Sequence, residues 1–83
     1  MLYWTYSKQQ IAAIFGVNRS TVYSWEGRGL PVRRPERSGR PAKVDFEEAL
    51  RWFLDYEEIR GTSKEGLEIL EKAIRERKAK YYG

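Results

Sequence analysis

Lys8–Gly27 reads KQQIAAIFGVNRSTVYSWEG, two short amphipathic blocks on either side of one glycine. Two helices that cross steeply over a short turn need apolar side chains at the crossing, a small residue where the backbones approach, and a glycine at the turn. Ile11, Phe15, Val17, Val22 and Trp25 meet the first need, Ala12 the second and Gly16 the third. Ahead of the first block, Ser7 with Gln10 three residues on makes a capping box, and Tyr6 is placed to staple onto Ile11, so the first helix runs to about Phe15. Asn18 stands as the cap of a second helix over roughly Arg19 to Glu26. An ordinary helical hairpin is the bland alternative, but the agreement of so many constrained positions favours a helix-turn-helix.

The second helix then presents Asn18, Arg19, Ser20, Thr21, Tyr23 and Ser24 on its free face, with no acid before Glu26. A helix of that character fits the major groove of duplex DNA, where arginine can bond guanine in bidentate fashion and serine or threonine can bond several bases. Arg19, Ser20 and Ser24 are assigned to base edges, Thr21 and Tyr23 to phosphates or flanking contacts. Asn18 is assigned to capping rather than to reading.

Downstream, RRPERSGRP (Arg33 to Pro41) sets four arginines among two prolines and a glycine, where neither a helix nor a core could use them. LPVRR and PAKV, on either side, are the pieces able to pair as short strands, so the simplest reading is a basic hairpin, a wing over about 30–44. Beside the second helix, Arg28, Arg33, Arg34, Arg37, Arg40 and Lys43 would meet the DNA backbone or minor groove. A solvated linker is the competing idea, but GLP before and DFEEA after tie both ends to structured elements. The opening LYWTY is β-prone and could add a strand.

Asp45 with Glu48 makes a second capping box, opening a third helix with Phe46, Ala49, Leu50 and Phe53 on one face and an end near Gly61. Thr62 with Glu65 reads as the start of a fourth, with Leu67, Leu70, Ile74 and Tyr81 as its apolar positions and Glu68–Lys72, Glu71–Arg75 and Glu76–Lys80 as i, i+4 pairs on its wet side. Trp52, Tyr56 and Ile59 form a further stripe on the third helix. The fourth helix could fold back over that stripe. Pairing in a symmetric dimer, or a higher homo-oligomer, through Trp52, Tyr56, Ile59, Leu67, Leu70 and Ile74 is the favoured expectation, since two second helices would then address two half-sites.

The expected fold class is therefore mainly α with a small β-hairpin: a winged helix-turn-helix over residues 1–60, then a C-terminal helix over 61–83 that serves dimerisation or leads to a further segment. At 83 residues the chain suits one small domain. Residues 1–44 carry eight basic and two acidic side chains and residues 45–83 eight and ten, so the net charge of +4 conceals one half suited to a polyanion. There is no cysteine and no histidine, which removes disulfides, thiolate metal sites and the usual general base. No nucleophile–base pair and no G-x-x-x-x-G-K loop is readable, so no catalytic residue, metal or cofactor is expected. A pure protein-interaction module is a live alternative, since basic hairpins also bind acidic proteins. Neither a signal peptide nor a spanning segment is readable, and the basic residues do not share a helix with an apolar face, which points to a soluble cytoplasmic protein without membrane contact.

With these residues in hand, the order SKQQIAAIFGVNRSTVYSWEGRGLPV, basic hairpin, VDFEEALRWFLDYE resembles the amino-terminal domain of the lambda-type phage small terminase subunit. The likeness runs from about Ser7 to Glu58 and rests on IFGV, on a tryptophan followed by GLPV, and on the aromatic RWF helix. It implies a winged helix-turn-helix that binds viral DNA near the packaging start, dimerises, and passes that DNA to a large terminase subunit in the infected bacterial cell. By that analogy the helix from Arg19 and the wing around Arg37 touch DNA, although the family's wing is usually rich in glycine and this one in arginine and proline. The same order of elements is similar to excisionases and MerR-type regulators, and either remains an alternative.

Overall fold

A computed structural model describes residues 5–33 and 42–82. In chain order the elements are β1 (Thr5–Tyr6), α1 (Lys8–Phe15), α2 (Arg19–Glu26), β2 (Val44–Asp45), α3 (Phe46–Ile59) and α4 (Lys64–Tyr82). A mainly helical chain with one small antiparallel sheet is the class expected from the sequence, and the two short helices fall on the expected residues.

The capping box forms in full. Ser7, with extended backbone, accepts the N–H of Gln10 at 3.1 Å, and the Gln10 side chain accepts the N–H of Ser7 at 2.8 Å. At the other end of α1, Gly16 adopts the left-handed conformation (φ 72, ψ 33). The N–H groups of Gly16 and Val17 turn back to the carbonyls of Ala13 (3.3 Å) and Ala12 (2.9 Å), a Schellman closure that a residue with a Cβ forms only under strain.

Val22 and Trp25 of α2 pack into a core shared with Ile11, Ile14 and Phe15 of α1 and with Phe46, Leu50 and Phe53 of α3. Phe15 is its hub, meeting Trp25, Phe46 and Phe53 edge-on at centroid distances of 6.0, 6.3 and 5.3 Å. Edge-to-face contacts of this kind add about 0.5–1.5 kcal/mol each beyond the area they bury. Leu30, in the GLP turn after α2, is buried in the same core, and its N–H bonds the Trp25 carbonyl at 3.0 Å.

The pairing of strands differs from expectation. Val44 and Asp45 pair with Tyr6 and Thr5, so the β-prone opening segment does contribute a strand. Among the described residues the two expected wing strands meet at the bridge of Arg33 with Lys43, bonded both ways at 2.7 and 2.9 Å. Two causes are visible: Pro31 has no N–H to extend that ladder, and burial of Val44 and Tyr6 draws the returning strand toward β1 instead. Residues 34–41, which include the expected hairpin tip with Arg34, Arg37 and Arg40, lie outside the described residues.

Two helix starts also depart from the sequence reading. Asp45 caps α3 by accepting the Glu48 N–H at 3.0 Å, but Glu48 does not complete the box; its carboxylate takes the Arg33 guanidinium at 2.6 Å. The cap of α4 is Ser63, whose hydroxyl accepts the Gly66 N–H at 3.1 Å, rather than Thr62, whose hydroxyl donates to Glu57 at 3.0 Å.

Helix α4 folds back within the chain across α1 and α3. Ile74 is buried in the common core. Tyr82, not Tyr81, supplies the terminal aromatic contact, its ring 5.6 Å from that of Tyr6, while Tyr81 stays 59% exposed. Arg75 makes two bonds to Glu47 at the start of α3 (2.9 and 3.2 Å) besides the expected pair with Glu71 at 3.4 Å. Arg77 donates to the Ile14 carbonyl at 2.7 Å, so α4 satisfies an orphan carbonyl at the end of α1.

Candidate nucleic-acid interface

With Val22 and Trp25 turned inward, the rest of α2 faces solvent. Asn18, Arg19, Ser20, Tyr23 and Ser24 are exposed and Thr21 is half-buried. Asn18 holds the capping position with extended backbone (φ −73, ψ 152), but its side chain makes no capping bond. The cap role assigned to that side chain is therefore not realised.

The one acid on α2, Glu26, is drawn away from the free face. It is ion-paired with Lys8 from the first turn of α1, both side chains being largely buried. The Lys8 ammonium also lies 4.5 Å from the centre of the Tyr23 ring, and the Arg19 guanidinium lies 6.0 Å from the same centre. Between them runs an open groove of about 240 Å³ lined by Ser7, Lys8, Gln9, Arg19, Tyr23 and Ala42. Lys8 and Gln9 were not among the residues singled out by sequence. Their helical positions identify them as the first turn of α1, but only the packing of α1 against α2 brings them beside Tyr23.

The other basic residues assigned to this interface divide into two groups. Lys43 is exposed, at its bridge with Arg33. Arg28 and Arg33 are exposed as well, but each is engaged by α3: Arg28 donates to the Tyr56 hydroxyl and sits 5.9 Å from its ring centre, and Arg33 pairs with Glu48.

Within one chain, the residues assigned to a dimer interface differ in exposure. Ile74 is 2% exposed within one chain. Trp52 is half-buried between Trp25, at 5.7 Å, and Tyr56, on which it stacks at 5.0 Å and 13°. Leu67 and Leu70 are half-buried, and Ile59 remains 86% exposed.

Among the described residues no cluster of three or more carboxylate, histidine or cysteine side chains is placed to hold a metal ion. Arg75 has its proton affinity raised, chiefly by its hydrogen bond to Glu47. A raised cationic pKa contributes stability that is complete below the ordinary arginine range, so this guanidinium keeps its charge at every working pH. No helix among the described residues is long and apolar enough to cross a membrane.

Comparison with known proteins bears on the same segment. Residues 1–40 match the family described as "Putative ATPase subunit of terminase (gpP-like)". The chain is 33% identical over 49 residues to the prophage DNA-packing protein NohA of Escherichia coli K12, covering 59% of this chain and 26% of the relative. It is 31% identical over 49 residues to the terminase small subunit of Escherichia phage lambda, covering 27% of that protein. The chain thus spans about a quarter of the length of these relatives. No solved structure matches it significantly. Over residues 1–40, which contain α1 and α2, the chain is similar to a terminase family, and its curated relatives include small subunits of phage terminases.

Proposed function

We propose that the chain is a duplex-DNA-binding module of a phage packaging apparatus, which recognises DNA near the packaging start and delivers it to a large terminase subunit in the cytoplasm of the infected bacterium. The observation that carries this reading is the free face of α2: five exposed polar or cationic residues from Asn18 to Ser24, on a helix held by Val22 and Trp25, whose single acid is tied up by Lys8. Such a face suits the major groove, and Lys43 with the arginines of residues 33–40 suits the adjacent backbone. Residues 1–60 are the DNA-binding part in this reading and 61–83 the helix that braces it. The chain itself performs no catalysis; the motor chemistry belongs to the partner.

Titration of labelled duplex DNA and of an acidic peptide at several salt concentrations tests the binding class. The expected result is DNA binding that weakens steeply with salt, and equal or stronger binding of the peptide would overturn it. Footprinting on the source genome tests the biology. Protection beside the packaging start is expected, whereas protection at an attachment site or a promoter would favour an excisionase or a MerR-type regulator. A homodimer addressing two half-sites is part of the proposal, and sedimentation as a monomer well above micromolar concentration would remove that part.

A further inference from the structure

The groove between α1 and α2 has a composition that reading DNA bases does not require. It is concave, about 240 Å³, and no carboxylate lines it among the described residues. Lys8 and Arg19, from different helices, both hold their charges over one aromatic ring, at 4.5 and 6.0 Å from its centre. The electron-rich face of Tyr23 offsets part of the repulsion between two neighbouring cations without using their N–H donors. Lys8 has three donors, of which the ion pair with Glu26 engages one, and Glu26 is not among the described residues that line the groove. Gln9, exposed beside them, adds an amide donor. Two neighbouring cations and a neutral donor lining one open groove are the chemistry that takes a singly charged oxyanion.

We propose that this groove binds one phosphodiester of the DNA backbone, held by Lys8 and Arg19 with Gln9 and the Tyr23 hydroxyl at its edge. This deepens the DNA-binding reading and rests on it. It also changes the role of Arg19, which lies folded over Tyr23 and becomes a positioning residue whose phosphate contact sets the register of α2. Base discrimination then falls to Ser20 and Ser24, the exposed hydroxyls on the same helix. Ala42, one residue from the Arg33–Lys43 bridge, brings the root of the wing to the same groove. A phosphate there would sit where both helices and the wing converge, which suits a contact that orients the protein without carrying sequence information.

The test is the salt dependence of binding to a labelled mixed-sequence duplex, followed by fluorescence anisotropy, for the whole chain and for Lys8→Gln, Arg19→Gln, the double variant and Glu26→Gln. Removing one neutralised phosphate is expected to flatten the slope of log K against log salt by about 0.9 in the double variant, with the single variants between that and the parent. Glu26→Gln breaks the same ion pair as Lys8→Gln but leaves the ammonium in place, so its slope should stay unchanged or become steeper. Arg19→Gln should weaken all sequences by the same factor. An unchanged slope in the double variant overturns the proposal while leaving DNA binding intact, and so does equal flattening by Glu26→Gln, which would make the effect one of helix packing. Loss of cognate preference alone in Arg19→Gln would return that residue to base reading and overturn its place in the groove. Absence of any DNA binding by the parent chain would remove both this proposal and the reading beneath it.

Discussion

Replacing Gly16 by alanine tests whether the turn between α1 and α2 is set by local backbone preference alone or also by α4. An alanine at φ 72 bears the left-handed penalty, about 1 kcal/mol. Its Cβ would also lie 2.8 Å from Nη1 and 3.2 Å from Cζ of Arg77. A guanidinium at the end of a flexible stem can move aside, so the overlap itself is cheaply relieved. What moving it forfeits is the 2.7 Å bond to the Ile14 carbonyl, a hydrogen bond from a charged donor at a half-buried site, about 1.5 kcal/mol. Gly16→Ala should therefore cost about 2.5 kcal/mol, the two contributions together, or roughly 10–20 °C in melting temperature for a domain of this size. Arg77→Ala alone should cost about 1.5 kcal/mol, and in that background Gly16→Ala should cost only about 1 kcal/mol. Helical circular dichroism during thermal and urea unfolding of the four proteins measures the cycle. If Gly16→Ala costs the same with and without Arg77, the guanidinium is not seated over the turn and the argument is refuted.

Three further outcomes are expected. Arg37→Ala with Arg40→Ala should weaken binding to all duplexes alike and flatten the salt slope by about 0.9 for each phosphate no longer neutralised; an unchanged slope would take the wing out of the interface. Ser20→Ala with Ser24→Ala should lower the preference for the footprinted site over random DNA by about tenfold or more while general binding persists, and equal losses on both DNAs would deny these hydroxyls a reading role. Glu47→Gln should destabilise the chain by no more than about 1 kcal/mol, less at high salt, because its pair with Arg75 is well exposed; a loss of several kcal/mol in chemical unfolding would show that this ion pair had been misjudged.

The pair of short helices and the turn between them were legible because their signals are local and redundant. The Ser7–Gln10 box, the glycine turn and the apolar spacing of Ile11, Phe15, Val22 and Trp25 all lie within twenty residues, and each fixes backbone geometry over one or two turns. The strand pairing was less legible. PAKV and LPVRR are neighbours in sequence, so a local hairpin was the simplest pairing, but the choice of partner for Val44 depends on what buries its side chain. Tyr6, nearly forty residues upstream, does so. The composition of the α2 face showed its polarity but not the groove, because nothing in the spacing of Lys8 and Tyr23 reveals that they meet through tertiary packing.

The hardest element to read was α4, and the reason is instructive about charged helices. Glu71 and Arg75 at i, i+4 satisfy the pattern of a solvated pair whether or not either reaches further, and Arg75 does reach, to Glu47 on α3. Arg77 belonged to no expected pair and contacts a carbonyl 63 residues away. Both arginines act at helix ends where backbone partial charges favour them or their partners: Arg77 at the electronegative C-terminus of α1, and Glu47 in the electropositive first turn of α3. A long side chain crossing to another helix leaves no period in its own sequence, so only the fold reveals it. It follows that the presentation of α2 depends on α4 through the end of α1. Variants that shorten α4 before Arg77 should disturb the turn at Gly16 even though they leave every residue of the two short helices intact.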